Sequence, residues 1–430
     1  MSIRRTIGKI IPKPFKESLL LMKSKFRYRT ESKKADKLLK KVKDNIKADE
    51  CPQIIKVGFV VQMPEIWDKE APLFELMLND SRFDPFLIVV PSYDFANARI
   101  SEYGDEFNYF SNKYPANRII KAFNGNWYDI ESEHYKYVFF QRCWEHYLPK
   151  QYHTKSVIRY TKTCYIPYFT VGICDGEWYY KTSFFNYLYL CFCLSESQVN
   201  FHPQSDYRKI VALGAPVIDS FLKELSRRKD SDNHQTILWT PRWTESKEYG
   251  GSTFIKYLYD VLSLKERNSN VDLVLRPHPL AFQNAIREGN LSEEEVERYK
   301  EKALKMGVVF DENKQISDTL LKTDILITDF SSIVYEYFLT GNPIIYCSDL
   351  GVDLEPDYRK IANTFYIANS WSEVEALVEN LLSGDDPNRS ERFKIIQEIT
   401  KNNTNATQRI LDYILSDAGE KGKNDESIDS

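Results

Sequence analysis

The sequence predicts an α/β protein with two doubly wound parallel sheets that face each other across a cleft. Short apolar runs alternate with helical patterns from residue 51 to residue 416, as expected for consecutive βαβ units. A polar segment at residues 227–235 (RRKDSDNHQ) divides this alternation into two series. The length of 430 residues also corresponds to two or three domains.

The first series predicts an N-terminal domain over residues 51–225. Its apolar runs have the length of buried strands, and Pro72 suits the first turn of a helix. We expect strands at Ile54–Val61, Phe86–Val90, Tyr137–Gln141, Ser156–Tyr160 and Arg208–Leu213, and a helix at Ala71–Leu78.

The second series predicts a C-terminal domain over residues 226–416. Its helical stretches lie at about 252–267, 292–306, 317–322, 332–340 and 371–383. The strands between them are expected at Thr236–Thr240, Leu273–Arg276, Val308–Phe310, Ile325–Thr328 and Ile344–Cys347. Residues 417–430 have no apolar pattern and are predicted to form a disordered tail.

Composition excludes several classes of protein. The net charge of −4 is too balanced for a general nucleic-acid-binding protein, so no nucleic-acid partner is expected. Seven cysteines without a C-x-x-C pair argue against a zinc ribbon or a disulfide framework and favour a reducing cytosol. The glycine-rich loops of ordinary dehydrogenases and of P-loop enzymes are absent. No apolar run approaches the roughly 18 residues of a membrane span.

The basic N-terminal segment, residues 1–50, has two interpretations. It holds 16 Lys/Arg and 6 Asp/Glu, a net charge of +10. An apolar stripe at helical spacing runs through Phe15, Leu19, Met22 and Phe26. The stripe either docks on the anionic cytoplasmic face of the cell membrane or packs on its own domain. A second stripe, which is expected to form a solvent-facing helix, comprises Ala35, Leu38, Leu39, Val42 and Ile46.

The segment ILITDFSSIVYEYFLTGNPIIYC, residues 325–347, carries the first candidate site. A buried strand ends at Thr328, Asp329 begins a turn, and Ser331 and Ser332 open a helix. Backbone N–H groups at a helix N-terminus suit a phosphate, and serine hydroxyls can cap the helix. Glu336 lies one turn further, where its carboxylate could accept hydrogen bonds from ribose hydroxyls. The alternative interpretation is a well-capped helix without a ligand.

A second candidate site is the segment LVLRPHPL, residues 273–280. A strand runs into Arg276 and His278, and the prolines on both sides of the histidine stiffen the loop. An imidazole held in this way beside a guanidinium is suited to phosphate binding or proton transfer. The alternative is an ordinary surface turn. Arg242, in LWTPRW, follows an earlier strand in the equivalent position.

Together these three segments resemble the CDP-glycerol glycerophosphotransferase family, enzymes of teichoic-acid and capsule polymer synthesis with a GT-B fold of two Rossmann-like domains. Residues 325–345 resemble the family's strand–TDxSS–helix–KPI block, and LRPHPL resembles its R-x-H-P loop. ILWTPRW resembles its I-x-W/Y-x-P strand. The resemblance is strong over about 205–350 and looser in the N-terminal half.

The resemblance implies a donor site in the C-terminal domain. Ser331 and Ser332 would hold the CDP pyrophosphate, Glu336 would bind the ribose, and His278 and Arg276 would contact the phosphates. The remaining residues assigned to this substrate site are Arg242, Thr328 and Asp329.

On the acceptor side the chain departs from the family pattern. Many members carry an H-G-T motif that supplies a base for the acceptor hydroxyl, and this chain has no H-G pair. His146 or Glu145, just after the strand that ends near Gln141, could take that place. Both are equally consistent with an ordinary surface.

The implied function is transfer of an alditol phosphate, glycerol phosphate from CDP-glycerol above all, to a cell-surface glycan or a lipid-linked acceptor. The TDFSS segment has one carboxylate beside its serines, so no metal and no cofactor beyond the nucleotide donor are expected. The location expected is the cytoplasm, peripheral on the cell membrane. Two alternatives stay open: a glycosyltransferase that uses a nucleotide sugar, and a non-catalytic polymer-binding scaffold.

Overall fold

Two parallel sheets with helices on both faces form the body of the protein, which confirms the predicted fold class. The computed structural model describes residues 28–42, 54–91, 93–94, 99–100, 103–168, 180–202, 205–227, 235–243, 251–313, 315–347 and 354–419.

The first sheet has seven strands, and each neighbouring pair is parallel. In chain order they are β1 (Ile55–Val61), β2 (Phe83–Val89), β3 (Ile119–Lys121), β4 (Tyr137–Phe140), β5 (Lys162–Tyr165), β6 (Leu190–Cys193) and β7 (Lys209–Ala212). Their order across the sheet is β7-β6-β5-β4-β1-β2-β3.

The second sheet has six strands and the same doubly wound topology. In chain order they are β8 (Gln235–Thr240), β9 (Val271–Leu275), β10 (Val309–Phe310), β11 (Ile325–Thr328), β12 (Ile344–Tyr346) and β13 (Tyr366–Ile367). Their order is β10-β9-β8-β11-β12-β13.

Each sheet has one point at which the strand order reverses, between β1 and β4 in the first and between β8 and β11 in the second. The connections on either side of this point leave in opposite directions, so a crevice opens at the carboxyl ends of the two strands. These two crevices are where ligands of doubly wound sheets bind.

Helices cover both faces of each sheet. Those of the N-terminal part are α1 (28–42), α2 (Ala71–Leu78), α3 (Asp105–Lys113), α4 (Thr154–Val157), α5 (Ser183–Asn186), α6 (Glu196–Val199) and α7 (Pro216–Arg227). The others are α8 (Phe254–Tyr257), α9 (Ser263–Arg267), α10 (Ala281–Arg287), α11 (Glu293–Lys305), α12 (Ser317–Lys322), α13 (Ile333–Phe338), α14 (Pro356–Ala362), α15 (Trp371–Leu382), α16 (Arg389–Asn403) and α17 (Ala406–Ala418).

The last helix returns to the first sheet, and this corrects the predicted tail. Ile410, Ile414 and Leu415 of α17 are buried in the same apolar core as β1 and α2. The side chain of Asp417, the residue predicted to begin the tail, is 1% exposed and forms an ion pair with Lys162 of β5. The tail prediction is therefore wrong for Asp417 and Ala418, because the buried lysine needs this carboxylate.

The strand predicted at Ser156–Tyr160 is also wrong. Thr154–Val157 is a short helix, and the strand follows at Lys162–Tyr165. The strand was missed because it begins with Lys162, and a lysine normally indicates an exposed position. In the structure Lys162 is 1% exposed and forms an ion pair with Asp417.

Helix α1 packs on the first domain instead of facing solvent. Ala35, Leu39 and Val42 are buried in its core, and the Glu31 carboxylate accepts a hydrogen bond from the Tyr187 hydroxyl at 2.9 Å. The prediction of a solvent-facing helix is wrong for these residues. The stripe through Phe15, Leu19, Met22 and Phe26, together with Ile46, lies outside the described residues. In the described part of the chain, no helix is long and apolar enough to span a membrane.

Candidate active site

The second sheet's crevice is closed at its base by two threonines. The hydroxyls of Thr240 and Thr328, at the ends of β8 and β11, are 2.9 Å apart. The Thr328 hydroxyl also donates to the Thr240 carbonyl at 3.0 Å, and Thr328 is 1% exposed. Thr328 thus joins the two strands, and its contact with substrate stays a prediction.

Asp329 organises the loop beyond β8. Its fully buried carboxylate accepts the backbone N–H of Arg242 at 3.0 Å, and the N–H and hydroxyl of Thr253 at 2.9 and 2.7 Å. Burial raises the pKa of Asp329, although these hydrogen bonds oppose the rise. The carboxylate therefore positions the backbone of Arg242, and its contact with substrate stays a prediction.

Arg242 and His278 converge on this crevice from adjacent strands. The guanidinium of Arg242 stacks over the Phe330 ring, 5.0 Å from its centroid. The Leu280 N–H donates to Nδ1 of His278 at 3.2 Å, so the neutral ring carries its proton on Nε2. Desolvation and the nearby Arg242 charge lower the pKa of His278 to about 4. At neutral pH the imidazole is therefore an uncharged hydrogen-bond donor.

Arg276 is held by a carboxylate that the sequence patterns did not single out. Its Nη1 lies 2.8 Å from Oδ2 of Asp311, which follows β10 and is 3% exposed. The Thr319 hydroxyl donates to the same oxygen at 2.6 Å. Burial would raise the pKa of Asp311, but the Thr319 hydrogen bond and the Arg276 charge outweigh it and lower the pKa. Asp311 therefore fixes the direction of the guanidinium.

Ser331 and Ser332 form the turn between Phe330 and α13. Both are half-buried. Ser332 occupies the N-cap position, but its side chain makes no capping hydrogen bond. The capping interpretation of Ser332 is therefore not what the geometry provides.

Glu336, the residue predicted to bind the ribose, forms an ion pair in this structure. Its side chain is 5% exposed, and its Oε1 lies 2.6 Å from Nζ of Lys69. Lys69 ends the turn after β1 of the first sheet, so this ion pair crosses between the domains. In this geometry the carboxylate pairs with a lysine of the first domain, and its contact with the ribose stays a prediction.

The first sheet's crevice carries the acceptor-side candidates. Oε1 of Gln141, just after β4, accepts the N–H groups of Gln62 and Met63, just after β1, at 2.8 and 2.9 Å. The next residue, Arg142, stacks on the Tyr147 ring at 4.2 Å from its centroid. In each crevice, therefore, an arginine lies two residues after the end of a buried strand: Arg242 after β8 and Arg142 after β4.

His146 lies at the open end of this crevice. Its exposed ring stands 4.1 Å from that of Tyr147, centroid to centroid. Desolvation and the Arg142 charge lower the pKa of His146. The other candidate, Glu145, points inward: its carboxylate accepts the Thr154 hydroxyl at 2.7 Å. Of the two candidates for the base, His146 is the accessible one.

Sequence reasoning missed Lys69, Asp311 and Arg142. One sequence feature could have indicated Asp311: it directly follows a strand, as Arg276 and Asp329 do. No sequence feature indicated Lys69 or Arg142, because their contacts depend on which distant strands and helices lie side by side.

Comparison with known proteins gives a family match. The model of the CDP-glycerol:poly(glycerophosphate) glycerophosphotransferase family matches residues 184–416, more than half of the chain. A teichoic acid poly(glycerol phosphate) polymerase of Bacillus spizizenii is 31% identical over 130 residues, 30% of each chain. A teichoic acid ribitol-phosphate primase of the same species is 27% identical over 238 residues, 50% of this chain and 54% of the relative. The matches thus span about a third and about half of these relatives.

Solved structures share the two-domain GT-B fold. The wall teichoic acid polymerase TagF superposes with a TM-score of 0.55 at 14% identity, over 92% of this chain and 97% of that chain. The UDP-GlcNAc 2-epimerase of Neisseria meningitidis superposes with a TM-score of 0.55 at 13% identity, over 84% and 100%. These likenesses establish the fold, and the family match covers all six strands of the second sheet. The chain belongs to the CDP-glycerol:poly(glycerophosphate) glycerophosphotransferase family.

Proposed function

We propose that the protein transfers glycerol phosphate from CDP-glycerol to a hydroxyl of a cell-surface glycan or lipid-linked acceptor. The observation that carries this proposal is the convergence of Arg242 and His278 beside the Ser331–Ser332 turn, at the crevice of the second sheet. A guanidinium, a neutral N–H donor and backbone N–H groups at one strand edge suit a diphosphate. Family membership supports CDP-glycerol as the donor.

The reaction makes one bond and breaks one. The acceptor hydroxyl oxygen attacks the phosphorus that carries the glycerol, the bond from that phosphorus to the bridging oxygen breaks, and CMP leaves. Negative charge develops on the bridging oxygen, and the hydroxyl proton passes to a base. Donors that are already oriented towards this charge lower the barrier without reorganising.

We assign Arg242, Arg276 and His278 a part in this reaction. Arg242 and Arg276, oriented by Asp329 and Asp311, stabilise the charge on the diphosphate. His278 donates from Nε2, and an adjacent diphosphate favours its protonated form and raises its pKa, so that it can protonate the departing CMP.

The acceptor side requires a base near the first crevice. His146 has a lowered pKa and an exposed ring, so it is neutral at physiological pH and able to accept the hydroxyl proton. The proposal needs no cofactor besides the donor nucleotide.

Two measurements test the donor assignment. CDP and CDP-glycerol should raise the melting temperature, whereas UDP-hexoses and GDP should not. Single-turnover incubation of CDP-glycerol with a purified lipid-linked acceptor should release CMP. Replacing Ser331 and Ser332 by glutamine should abolish the CDP-induced shift without unfolding the protein. Selective stabilisation by a UDP-sugar would contradict the proposal and favour a glycosyltransferase, and no stabilisation by any nucleotide would favour a scaffold.

We also propose a peripheral location on the cytoplasmic face of the cell membrane, through the basic N-terminal segment and its apolar stripe, which includes Phe15 and Phe26. Helix α1, which begins at Tyr28, is part of the core, so a deletion that tests this proposal has to end before Tyr28. Deleting residues 1–26 should release the protein from anionic vesicles and leave its melting temperature unchanged. Vesicle binding that survives the deletion would contradict this proposal.

A further inference from the structure

Two cysteines and a histidine meet in the first domain, away from both crevices. Cys191 and Cys193 are two residues apart on β6, so their side chains leave the same face of the sheet. His202 follows α6 and folds back onto them. Its Nε2 lies 3.4 Å from Sγ of Cys193 and 3.9 Å from Sγ of Cys191. The three donor atoms all lie within 4.8 Å of one another.

These distances fit one bound metal ion. Zinc bonds of about 2.3 Å to sulfur and about 2.0 Å to nitrogen place tetrahedral sulfur and nitrogen ligands roughly 3.5 Å apart. The two measured sulfur–nitrogen distances lie on either side of this value. A thiolate and imidazole donor set selects thiophilic ions over magnesium or calcium, which prefer oxygen.

Charge favours a divalent ion. The three side chains are at most 4% exposed, and the rings of Tyr180 and Phe185 pack against the imidazole at 4.8 and 5.2 Å between centroids. Two thiolates, a neutral imidazole and a divalent cation sum to zero charge. An electrically neutral group is what such an apolar enclosure accepts, because a net buried charge is costly.

We propose that Cys191, Cys193 and His202 bind a thiophilic divalent metal ion, with zinc as the best match. The described residues supply three donors, the number found in zinc sites whose fourth ligand is a water molecule. This site is independent of the donor crevice and of the proposed transferase reaction.

The site lies at the base of a contact between the domains. The ion joins Cys193 to His202 and so closes the loop between them. That loop holds Ser197, whose hydroxyl donates to Asp357 at 2.7 Å, and Gln198, whose amide donates to Glu355 at 3.3 Å. Both acceptors precede or begin α14 of the second domain. Metal binding would therefore stiffen the segment that joins the two domains.

The test uses the reduced full-length chain and cobalt as a spectroscopic probe. Stoichiometric Co²⁺ should produce a thiolate-to-cobalt charge-transfer band and tetrahedral d–d bands, and Zn²⁺ should displace it. Protein purified without chelators should contain one zinc per chain by mass spectrometry of metals. Stripping the zinc should lower the melting temperature, and adding it back should restore it.

Variants locate the site. Cys193→Ser and His202→Gln should lose the charge-transfer band or weaken Co²⁺ binding at least tenfold. Cys164→Ala, which removes another fully buried thiol of the same sheet, should bind Co²⁺ as the natural chain does. Absence of both bound zinc and the cobalt bands in the folded natural chain would overturn the proposal. An unchanged band in folded Cys193→Ser would overturn it as well.

Discussion

The Nζ of Lys69 lies 2.6 Å from Oε1 of Glu336 and joins the turn after the first strand of one domain to α13 of the other. The side chains are 12% and 5% exposed, and Asp68 is the second carboxylate beside the lysine, at 3.4 Å. Burial alone would lower the pKa of Lys69, but the two carboxylates outweigh it and raise the pKa. The lysine is therefore charged at neutral pH and links the two crevices.

This relationship leads to a double-mutant cycle with Lys69→Met and Glu336→Gln. Each single change removes one member of a buried ion pair and should lower the free energy of unfolding by up to roughly 3–5 kcal/mol. The double variant should lose clearly less than the sum. Urea unfolding measures all four proteins. Lys360→Met is the control: its ion pair with Glu398 is about half exposed and should cost about 1 kcal/mol or less.

The same variants separate two roles for Glu336. If the carboxylate acts only through Lys69, both single variants should change CDP affinity equally. A loss of affinity confined to Glu336→Gln would support a direct contact between Glu336 and the ribose.

His278→Ala should reduce turnover on the order of 100-fold, because it removes the Nε2 donor from the developing charge. CDP affinity should fall only modestly. The measurement is single-turnover release of CMP from CDP-glycerol. His153→Ala, a histidine of the other domain whose ring bonds to the Leu148 carbonyl, is the control. Near-normal rates for His278→Ala would show that this residue only forms part of a turn and takes no part in catalysis.

Asp417→Ala should destabilise the protein by roughly 3–5 kcal/mol, since it leaves the buried Lys162 without its counter-charge. The hydroxyls of Tyr137 and Tyr189 also donate to this carboxylate, at 2.7 and 3.0 Å. Ending the chain at residue 416 should have the same effect in thermal unfolding, whereas ending it at Gly419 should have none. Equal stability of the two truncated chains would contradict the buried role of Asp417.

Glu70 predicts a pH dependence of stability. Its side chain is buried at the start of α2, and neither carboxylate oxygen has a hydrogen-bond partner among the described residues. Burial raises its pKa from the ordinary value of 4.5 to about 8. Between these values the folded state binds the proton and the unfolded state releases it, so stability falls as the pH rises from about 4.5 to 8.

Glu70→Gln should remove this fall and be more stable than the natural chain at pH 8. Urea unfolding at pH 5, 6, 7 and 8 provides the comparison. Parallel curves for the two proteins would show that Glu70 does not titrate in this range.

Most of the second domain was predictable from the sequence. The strand Ile325–Thr328 and the helix Ser317–Lys322 have the predicted bounds. Their signals are local, because a strand buried on both faces is a continuous apolar run and a helix repeats its apolar positions every 3.6 residues. The position of Arg242 and His278 at strand ends followed from the same local patterns.

What the sequence determined by itself is thus the fold class, the family resemblance and the donor-side strand ends, all carried by residues close together in the chain. The tertiary structure alone decided the use of Glu336, Asp329 and Asp417. Each of these carboxylates has a partner 76 or more residues away, in Lys69, Thr253 and Lys162. The cost of leaving a charge unpaired in the interior selects those partners, and no local pattern records which distant group supplies the pairing.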